Sequence, residues 1–275
     1  MSLDKCLING KVVSIGEAQI SLTDAEFVYG FGVYETVKIR NRIIYFLDHH
    51  IERLLDSAQQ INLQHTFTTV QMTQFVTDLN QELDEQSYNL KIYLYGGKAA
   101  KLVMLPSAPL YPDRKWYKTG VAVISVQHER WMPQAKTLNM LPSYYYYAQA
   151  KAKNAYDTVL IDSEGYLIEG TRTNLYFMQG KTIFIPPMHD VLEGVTLMTI
   201  LKVAKRNGYT IVEKKVSYDQ AREYESMFLS STSTKIMPIK QLDENITFII
   251  SDELKELMKL YEAALELSKG IYEQV

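Results

Sequence analysis

Three prolines close together mark the point at which this chain changes from one set of regular elements to another. Pro106, Pro109 and Pro112 fall in a stretch without clear apolar periodicity, and proline is disfavoured inside helices and in the middle of sheets. On both sides of this stretch, segments with strand-like alternation are mixed with segments of helical spacing, which predicts an α+β fold of two domains. The predicted parts are a smaller N-terminal domain over residues 1–112, a connector over residues 113–120, and a larger C-terminal domain over residues 121–275.

The individual elements follow from apolar spacing and from capping residues. The first half predicts a hairpin around Asn9-Gly10, a strand over residues 33–39, a helix that begins at an Asp48 cap, a helix near residues 69–84, and a strand over residues 90–95. The second half predicts a strand over residues 121–126 and helices near residues 143–154, 195–207 and 252–269, the last ending at Gly270.

Composition narrows the class of protein. A hydrophobic share of 47% and a charged share of 22% are those of an ordinary globular protein. No apolar run approaches the roughly 18 residues that span a bilayer, and the N-terminus has no apolar region of the signal-peptide type. The net charge of −3 and the absence of a basic stripe argue against nucleic acid as a partner. The lack of a membrane-spanning run predicts no membrane contact. The single cysteine, Cys6, cannot form an internal disulfide, which fits a reducing cytoplasm, so we predict a cytoplasmic protein.

The histidines and the tyrosines of the chain indicate which kinds of binding site it can form. His49 and His50 have no second cluster at metal-ligand spacing, so we predict cap or surface roles for these histidines and no metal site. The chain contains 20 tyrosines, whose rings offer flat packing surface and a hydrogen-bonding hydroxyl. Such residues suit a dimer interface or a polar pocket.

A fixed order of short motifs carries the functional signal. Each motif alone would fit an ordinary exposed segment, since most lysines and glutamates are solvated. In order along the chain, the motifs are Lys136-Thr-Leu-Asn139-Met-Leu141, Glu169-Gly170-Thr171-Arg-Thr-Asn174, Leu192-Glu-Gly194-Val195-Thr196, and Ser230-Ser-Thr-Ser233 before Met237-Pro238.

This order resembles the class IV pyridoxal-phosphate (PLP) enzymes, which include branched-chain aminotransferases, D-amino-acid aminotransferases and aminodeoxychorismate lyases. The resemblance extends from Leu7 to Asp243. It implies the two-domain fold type IV, PLP as cofactor, and a homodimer with the active site between the two domains.

The resemblance also implies a role for each residue that matches a family motif. Lys136 matches the lysine that binds the cofactor aldehyde and then serves as general base and general acid. Glu169 matches the carboxylate that keeps the pyridine nitrogen protonated. Arg53, in His50-Ile-Glu-Arg53, matches the arginine that binds the phosphate. The remaining matches are Leu192 against the ring, Val195, Thr196, Ser231 and Thr232 as phosphate donors, and Arg130 near the lysine.

The substrate is less constrained than the cofactor. Tyr29 matches an active-site aromatic residue of the branched-chain enzymes, and Ser233 is a further substrate-binding candidate. Lys91, Tyr93 and Tyr95 share one face of a predicted strand that matches the pocket strand of the branched-chain enzymes. This strand has no arginine, so Lys91 is its nearest cation.

The family leaves three activities open. The loop over residues 96–103 lacks the arginine and histidine that D-amino-acid enzymes use to bind the substrate carboxylate. We therefore predict amino transfer between an apolar or branched-chain L-amino acid and a 2-oxo acid by a ping-pong mechanism. The alternatives are a 4-amino-4-deoxychorismate lyase, favoured by the short chain, and a D-amino-acid aminotransferase.

Overall fold

The structure, a computed structural model, describes residues 3–19, 23, 25–109 and 111–272. It consists of two compact units that each combine a sheet with helices, which confirms the predicted α+β fold. Unit 1 comprises Met1–Leu110, Ala135–Asn139 and Lys269–Val275, and unit 2 comprises Tyr111–Gln134 and Met140–Ser268.

Unit 1 is built on one antiparallel sheet. Its strands are β1 (Lys5–Ile8), β2 (Lys11–Ser14), β3 (Gly32–Arg40), β4 (Ile43–Ile44), β5 (Tyr88–Tyr95) and β6 (Lys101–Ser107), in the order β2-β1-β6-β5-β3-β4. Its helices are α1 (Ala25–Val28), α2 (Leu47–Gln60) and α3 (Thr69–Glu82). Val33, Val37 and Ile39 of β3 alternate inward and are fully buried with Ile51 and Leu54 of α2, so the period-two pattern of the strand fixes which face receives the helices.

The start of α2 corrects one sequence prediction. Asp48 was expected to cap this helix, but the capping position is Phe46, whose φ of 54° is left-handed, and Asp48 lies within the first turn. A carboxylate in that turn still interacts favourably with the helix dipole. The helix predicted near residues 69–84 is confirmed as α3, and the structure shows that Thr68 and Gln71 form a reciprocal capping box at its start.

Unit 2 holds the remaining elements. Its strands are β7 (Val121–Gln127), β8 (Thr158–Ile161), β9 (Leu167–Gly170), β10 (Asn174–Gln179), β11 (Thr182–Ile185), β12 (Thr210–Glu213), β13 (Ser226–Ser231), β14 (Lys235–Leu242) and β15 (Ile246–Thr247). Its helices are α4 (Trp116–Thr119), α5 (Leu141–Ala152), α6 (Val195–Arg206) and the greater part of α7 (Asp252–Tyr272). α7 continues past Gly270, where the sequence predicted its end, since a helix tolerates an internal glycine at a cost of about 1 kcal/mol.

Six strands of unit 2 close on themselves. The strand order runs β10-β13-β14-β7-β8-β9, and β9 pairs in turn with β10 through Glu169 and Asn174. The interior of this ring is apolar and includes Val159, Leu175 and Leu229. Two candidate residues from the sequence motifs, Glu169 and Asn174, therefore form the pair that closes the ring.

The division of the chain differs from the predicted one in two respects. The boundary falls between residues 110 and 111, and the predicted connector, residues 113–120, clusters with unit 2. The segment with Lys136, which the sequence assigned to the C-terminal domain, clusters with unit 1 because its backbone pairs with β3. In the described part of the chain, no helix has the length and apolar character that a membrane span requires.

Candidate active site

The main chain around Lys136 is held along the edge of β3 by an isolated antiparallel bridge between Val33 and Thr137. Its carbonyl accepts a hydrogen bond from the Tyr34 N–H at 2.9 Å, and the Leu138 N–H donates to the Gly32 carbonyl at 2.9 Å. On α2, the Ser57 hydroxyl accepts from the Lys136 N–H at 3.1 Å. A Cβ at Gly32 would lie 2.7 Å from the Leu94 carbonyl oxygen and 2.8 Å from the Leu138 side chain. Because the carbonyl belongs to the paired strand β5 and cannot move aside, a glycine is needed here. These contacts fix the backbone of the segment and do not involve the lysine side chain.

A row of aromatic rings lies beside the Lys136 side chain. The Lys136 Nζ is 4.5 Å from the centre of the Tyr34 ring. Tyr34 stacks on Tyr93 at 6.4 Å, Tyr93 on Tyr95 at 5.8 Å, and Phe27 packs on Tyr95 at 4.8 Å. Burial raises the pKa of Tyr93 and raises that of Tyr95 to about 12, so both phenols remain neutral hydrogen-bond donors near neutral pH.

Two of the predicted substrate residues differ in their surroundings. Lys91 is half-buried on the same face of β5 as Tyr93 and Tyr95, as the alternation predicted. Tyr29, by contrast, is 85% exposed. Lys91 and Tyr93 therefore lie on the same sheet face as Tyr34, the residue whose ring contacts the Lys136 side chain. Tyr29 is exposed to solvent.

Arg53, the predicted phosphate ligand, is paired with a buried carboxylate. Its Nε donates to Glu35 Oε1 at 2.6 Å, and its NH2 group donates to Glu35 Oε2 at 2.8 Å. Glu35 is fully buried, and it also accepts from His50 Nδ1 at 2.8 Å. Such a two-point contact fixes the plane of a guanidinium. His50, Arg53 and Ser57 recur at helical spacing, so one face of α2 contacts both β3 and the Lys136 segment.

Charge within this cluster is set by burial and by the arginine. Burial alone would raise the pKa of Glu35, but the Arg53 guanidinium and His50 lower it well below its usual range. Burial lowers the pKa of His50 despite the neighbouring carboxylate. Near neutral pH, the cluster is therefore a Glu35–Arg53 ion pair with a neutral histidine that donates its Nδ1 hydrogen.

We predict that His50 makes the protein sensitive to mild acid. The pKa of His50 is lower in the folded than in the unfolded chain, where it is about 6.5, so the unfolded chain binds the proton first and stability falls as pH drops through that value. Denaturant unfolding at pH 7.5 and pH 5.5 measures the loss. His50→Asn keeps a donor to Glu35 and should show a loss smaller by about 1 kcal/mol. The exposed His189→Asn should behave as wild type; equal losses in wild type and His50→Asn would contradict the assignment.

Glu169 is a buried carboxylate at the end of β9. It is 3% exposed, and its Oε1 accepts from Arg130 Nε at 2.6 Å. Among the described residues, its Oε2 meets only the Leu192 N–H, at a long 3.5 Å. The Leu192 carbonyl in turn accepts from Asn174 Nδ2 at 2.8 Å. One carboxylate oxygen is thus paired with a cation, the other has capacity for a further donor, and Leu192 is held beside both.

The beginning of α6 presents unpaired amide groups. Gly194 precedes this helix, and no side chain caps it, so the first-turn N–H groups, which include Val195 and Thr196, have no partner within the helix. Helix N-termini of this kind attract anions. A Cβ at Gly194 would clash with Asn174 Oδ1, which explains why this position requires glycine.

The four hydroxyl residues at the end of β13 and directly after it, Ser230 to Ser233, differ in their hydrogen-bond partners. Ser231 Oγ is 2.7 Å from Thr234 Oγ1, so it is partly engaged within its own turn. Ser230 is fully buried, and its hydroxyl bonds a buried tyrosine. Thr232 and Ser233 are half-buried, and their hydroxyls have no hydrogen-bond partner within the described ranges. Thr232 and Ser233 are thus the hydroxyls of this group with the most capacity for a ligand.

Sequence reasoning overlooked two members of the unit 1 cluster. Glu35 was passed over, and His50 was interpreted as a cap or surface residue. A signal for Glu35 was present, because it alternates with Val33 and Val37 on the apolar face of β3. A carboxylate on such a face requires a buried partner.

Comparison with known proteins agrees with this geometry. The sequence model for "Amino-transferase class IV" matches residues 32–242. D-alanine aminotransferase of Bacillus licheniformis is 29% identical over 252 residues, which cover 87% of this chain and 88% of the relative. A putative branched-chain-amino-acid aminotransferase of Methanocaldococcus jannaschii is 25% identical over 88% of this chain and 89% of its own length.

Solved structures share the fold. The branched-chain aminotransferase from Thermoproteus uzoniensis, determined with norvaline, has a TM-score of 0.86 at 23% identity and covers 94% of this chain and 93% of that one. The branched-chain amino acid aminotransferase from Escherichia coli has a TM-score of 0.84 at 19% identity over 95% and 92% of the two chains. These likenesses confirm the predicted fold type IV. Since the family match spans most of its length, the chain belongs to the class IV aminotransferases.

Proposed function

We propose that this class IV aminotransferase moves an amino group between an apolar, branched-chain-type L-amino acid and a 2-oxo acid, with PLP as the carrier. The observation that carries the proposal is the row of tyrosines that begins beside Lys136. Aromatic rings with neutral hydroxyls provide apolar surface for a hydrocarbon side chain.

The residues present fit PLP. Glu169 has one oxygen paired with Arg130 and the other able to accept from a protonated ring nitrogen. The uncapped start of α6 suits a phosphate. In this assignment Lys136 binds the aldehyde, Leu192 packs on the ring, and the phosphate is held by Arg53, Val195, Thr196, Ser231 and Thr232.

When bound, PLP supplies an electron sink for the pair of electrons left by the Cα proton. The Lys136 amine would take that proton as general base and would return it, as general acid, to the C4′ carbon of the cofactor. Glu169 holds the proton on the ring nitrogen, and Arg130 keeps the carboxylate oriented. Arg53, oriented by Glu35, provides positive charge for the phosphate.

Substrate selection is assigned to unit 1 and to the loop after β13. Lys91 is the cation we assign to the substrate carboxylate, with Tyr93 and Ser233 as hydrogen-bond donors and Tyr29 as a contact supplied when substrate is bound. The loop over residues 96–103 has no arginine or histidine, and an ammonium cannot reproduce the two-point contact of a guanidinium. This supports an L-amino acid over a D-amino acid. We also propose a homodimer, as the family resemblance implies.

A second candidate is supported by the comparison with relatives. The D-alanine aminotransferase of Bacillus licheniformis matches at 29% identity over 87% of this chain, which favours D-alanine as an alternative amino donor. The two candidates differ in the chirality of the substrate and in the size of its side chain, so one experiment separates them.

The test is a half-reaction without an acceptor. L-leucine, D-leucine, L-alanine and D-alanine are added separately to the PLP-loaded enzyme, and the change in the visible absorbance is followed. We expect L-leucine to react fastest, ahead of L-alanine by at least about 10-fold, the lower end of the range for the loss of a single methylene from an apolar pocket. A faster reaction with D-alanine would replace the proposal by the second candidate. Aminodeoxychorismate, added alone, should release no pyruvate; pyruvate without an acceptor would indicate the lyase.

A further inference from the structure

The carboxylate of Asp157, which no sequence motif singled out, is buried next to the turn that follows Glu169. Asp157 precedes β8 and is fully buried. It accepts hydrogen bonds from the Thr171 hydroxyl at 2.5 Å, the Thr173 hydroxyl at 3.0 Å and the Thr158 N–H at 2.9 Å. Burial raises the pKa of this carboxyl against the effect of the two hydroxyls. Burying a carboxylate costs free energy, and here three donors are arranged around it, so the structural role of Asp157 is to be sought in the segment that supplies them.

The turn itself is tightly packed around the carboxylate. The Gly170 N–H donates to the Thr173 carbonyl at 2.8 Å, and the Thr171 N–H donates to the Thr158 carbonyl at 3.0 Å. A Cβ at Gly170 would clash with the Thr173 hydroxyl and lie 2.9 Å from Asp157 Oδ2. The carboxylate therefore fills the space on the inside of the turn.

This turn sets the position of Glu169. Glu169 is the residue immediately before Gly170, and it pairs with Asn174, the residue immediately after Thr173. Both ends of the turn thus form the β9–β10 contact that closes the ring of strands. If the turn relaxes, the backbone of Glu169 moves, and its carboxylate moves with it.

We propose that Asp157 is a positioning residue that aligns the Glu169 carboxylate with the cofactor ring nitrogen through Thr171 and Thr173. The inference rests on the proposed function, because it assigns Asp157 a role only through Glu169. It deepens that function by adding a residue that does not touch the cofactor.

The same strand offers a matched control. Asp162 follows β8 at its other end, is 7% exposed, and accepts from the Glu164 N–H at 3.0 Å and the Tyr166 N–H at 2.8 Å. It therefore holds the turn between β8 and β9, whereas Asp157 lies against the turn between β9 and β10. Asp157→Asn and Asp162→Asn are the same change at the two ends of one strand, and only the first concerns Glu169.

The first readout is binding rather than turnover. Affinity is measured for PLP and for its 1-deaza analogue, in which a C–H replaces the ring nitrogen, and their ratio reports the Glu169 contact. We expect Asp157→Asn to reduce this ratio about tenfold, the value of one weakened charge-assisted hydrogen bond. Asp162→Asn should preserve the wild-type ratio. An unchanged ratio in Asp157→Asn, or an equal reduction in Asp162→Asn, would overturn the inference.

The second readout guards against a variant that fails to fold. Thr171→Val removes one donor to Asp157 at nearly constant shape, and Thr158→Val is its control, because the buried Thr158 hydroxyl donates to the Tyr146 carbonyl instead. Amide exchange without cofactor should be faster at Gly170 and Thr171 in Thr171→Val only. The affinity ratio should fall in the same variant. Faster exchange with an unchanged ratio would make Asp157 purely structural.

Failure of the proposed function gives a different result. If wild type does not discriminate between the two compounds, or Glu169→Gln leaves the ratio unchanged, Glu169 does not contact the ring nitrogen and the inference falls with that assignment. If wild type discriminates and Asp157→Asn discriminates equally, the proposed function stands and the role of Asp157 alone is refuted.

Discussion

Replacing Lys136 with alanine is expected to abolish amino transfer and to remove the visible absorbance of the bound cofactor. In the proposed mechanism the Lys136 amine both attaches the cofactor aldehyde and moves the proton, so the alanine variant would lack both functions. The fold should be retained, because the three hydrogen bonds that fix this segment use its backbone groups and not the Lys136 side chain. The lost contact with the Tyr34 ring amounts to about 0.5–1 kcal/mol, which denaturant unfolding measures.

Controls distinguish this role from a general effect of charge. Lys153→Ala changes an exposed lysine at the end of α5 and should leave turnover within about twofold, since such surface changes have small effects. A small amine such as methylamine should restore part of the proton transfer in Lys136→Ala. Turnover near the wild-type rate in Lys136→Ala would remove this residue from the mechanism.

Replacing Glu169 with glutamine is expected to reduce the rate of the half-reaction by at least about 100-fold, the typical loss of one preorganised electrostatic contact. Cofactor affinity should change much less, because the phosphate contacts and Lys136 are untouched. The measurement is a single-turnover half-reaction beside a cofactor titration. The matched control is Glu164→Gln. In the wild-type protein Glu164 lies in the turn between β8 and β9, and its carboxylate forms an exposed ion pair with Lys215. A half-reaction rate in Glu169→Gln equal to that of the control would show that the ring nitrogen is held elsewhere.

The sequence predicted local structure well where the signal was local. The helix near residues 69–84 and the alternation of β3 and β5 were predicted from the residue pattern, and those elements occur as predicted. The start of α2 was missed, because Phe46 adopts a left-handed conformation that no capping rule indicates. The interpretation of Pro106 was also wrong. This residue was assigned to the irregular stretch between the two predicted domains, yet it lies inside β6 opposite Leu90.

The site depended on contacts that are distant in sequence. The motif around Lys136 identified the residue, but its pairing with Gly32 and Tyr34 joins segments about 100 positions apart and leaves no periodic signal. The burial of Asp157 was equally hidden, because its partners Thr171 and Thr173 were interpreted only as part of a family motif. By contrast, Glu35 was accessible to pattern reasoning, since a charged residue among valines on one strand face predicts a buried partner.

The pairing of the Lys136 segment with β3 limits where this chain can be cut into fragments or joined to the chain of a relative. Five residues, Ala135–Asn139, belong to unit 1, although the chain has already entered unit 2 at Tyr111. A fragment that ends near residue 110 would therefore lack the lysine together with an edge partner of β3. A chimera of two relatives joined at that point would combine a lysine segment from one parent with a β3 strand from the other. Successful exchange should require Gly32, Tyr34, Ser57 and residues 135–139 to be inherited from a single parent.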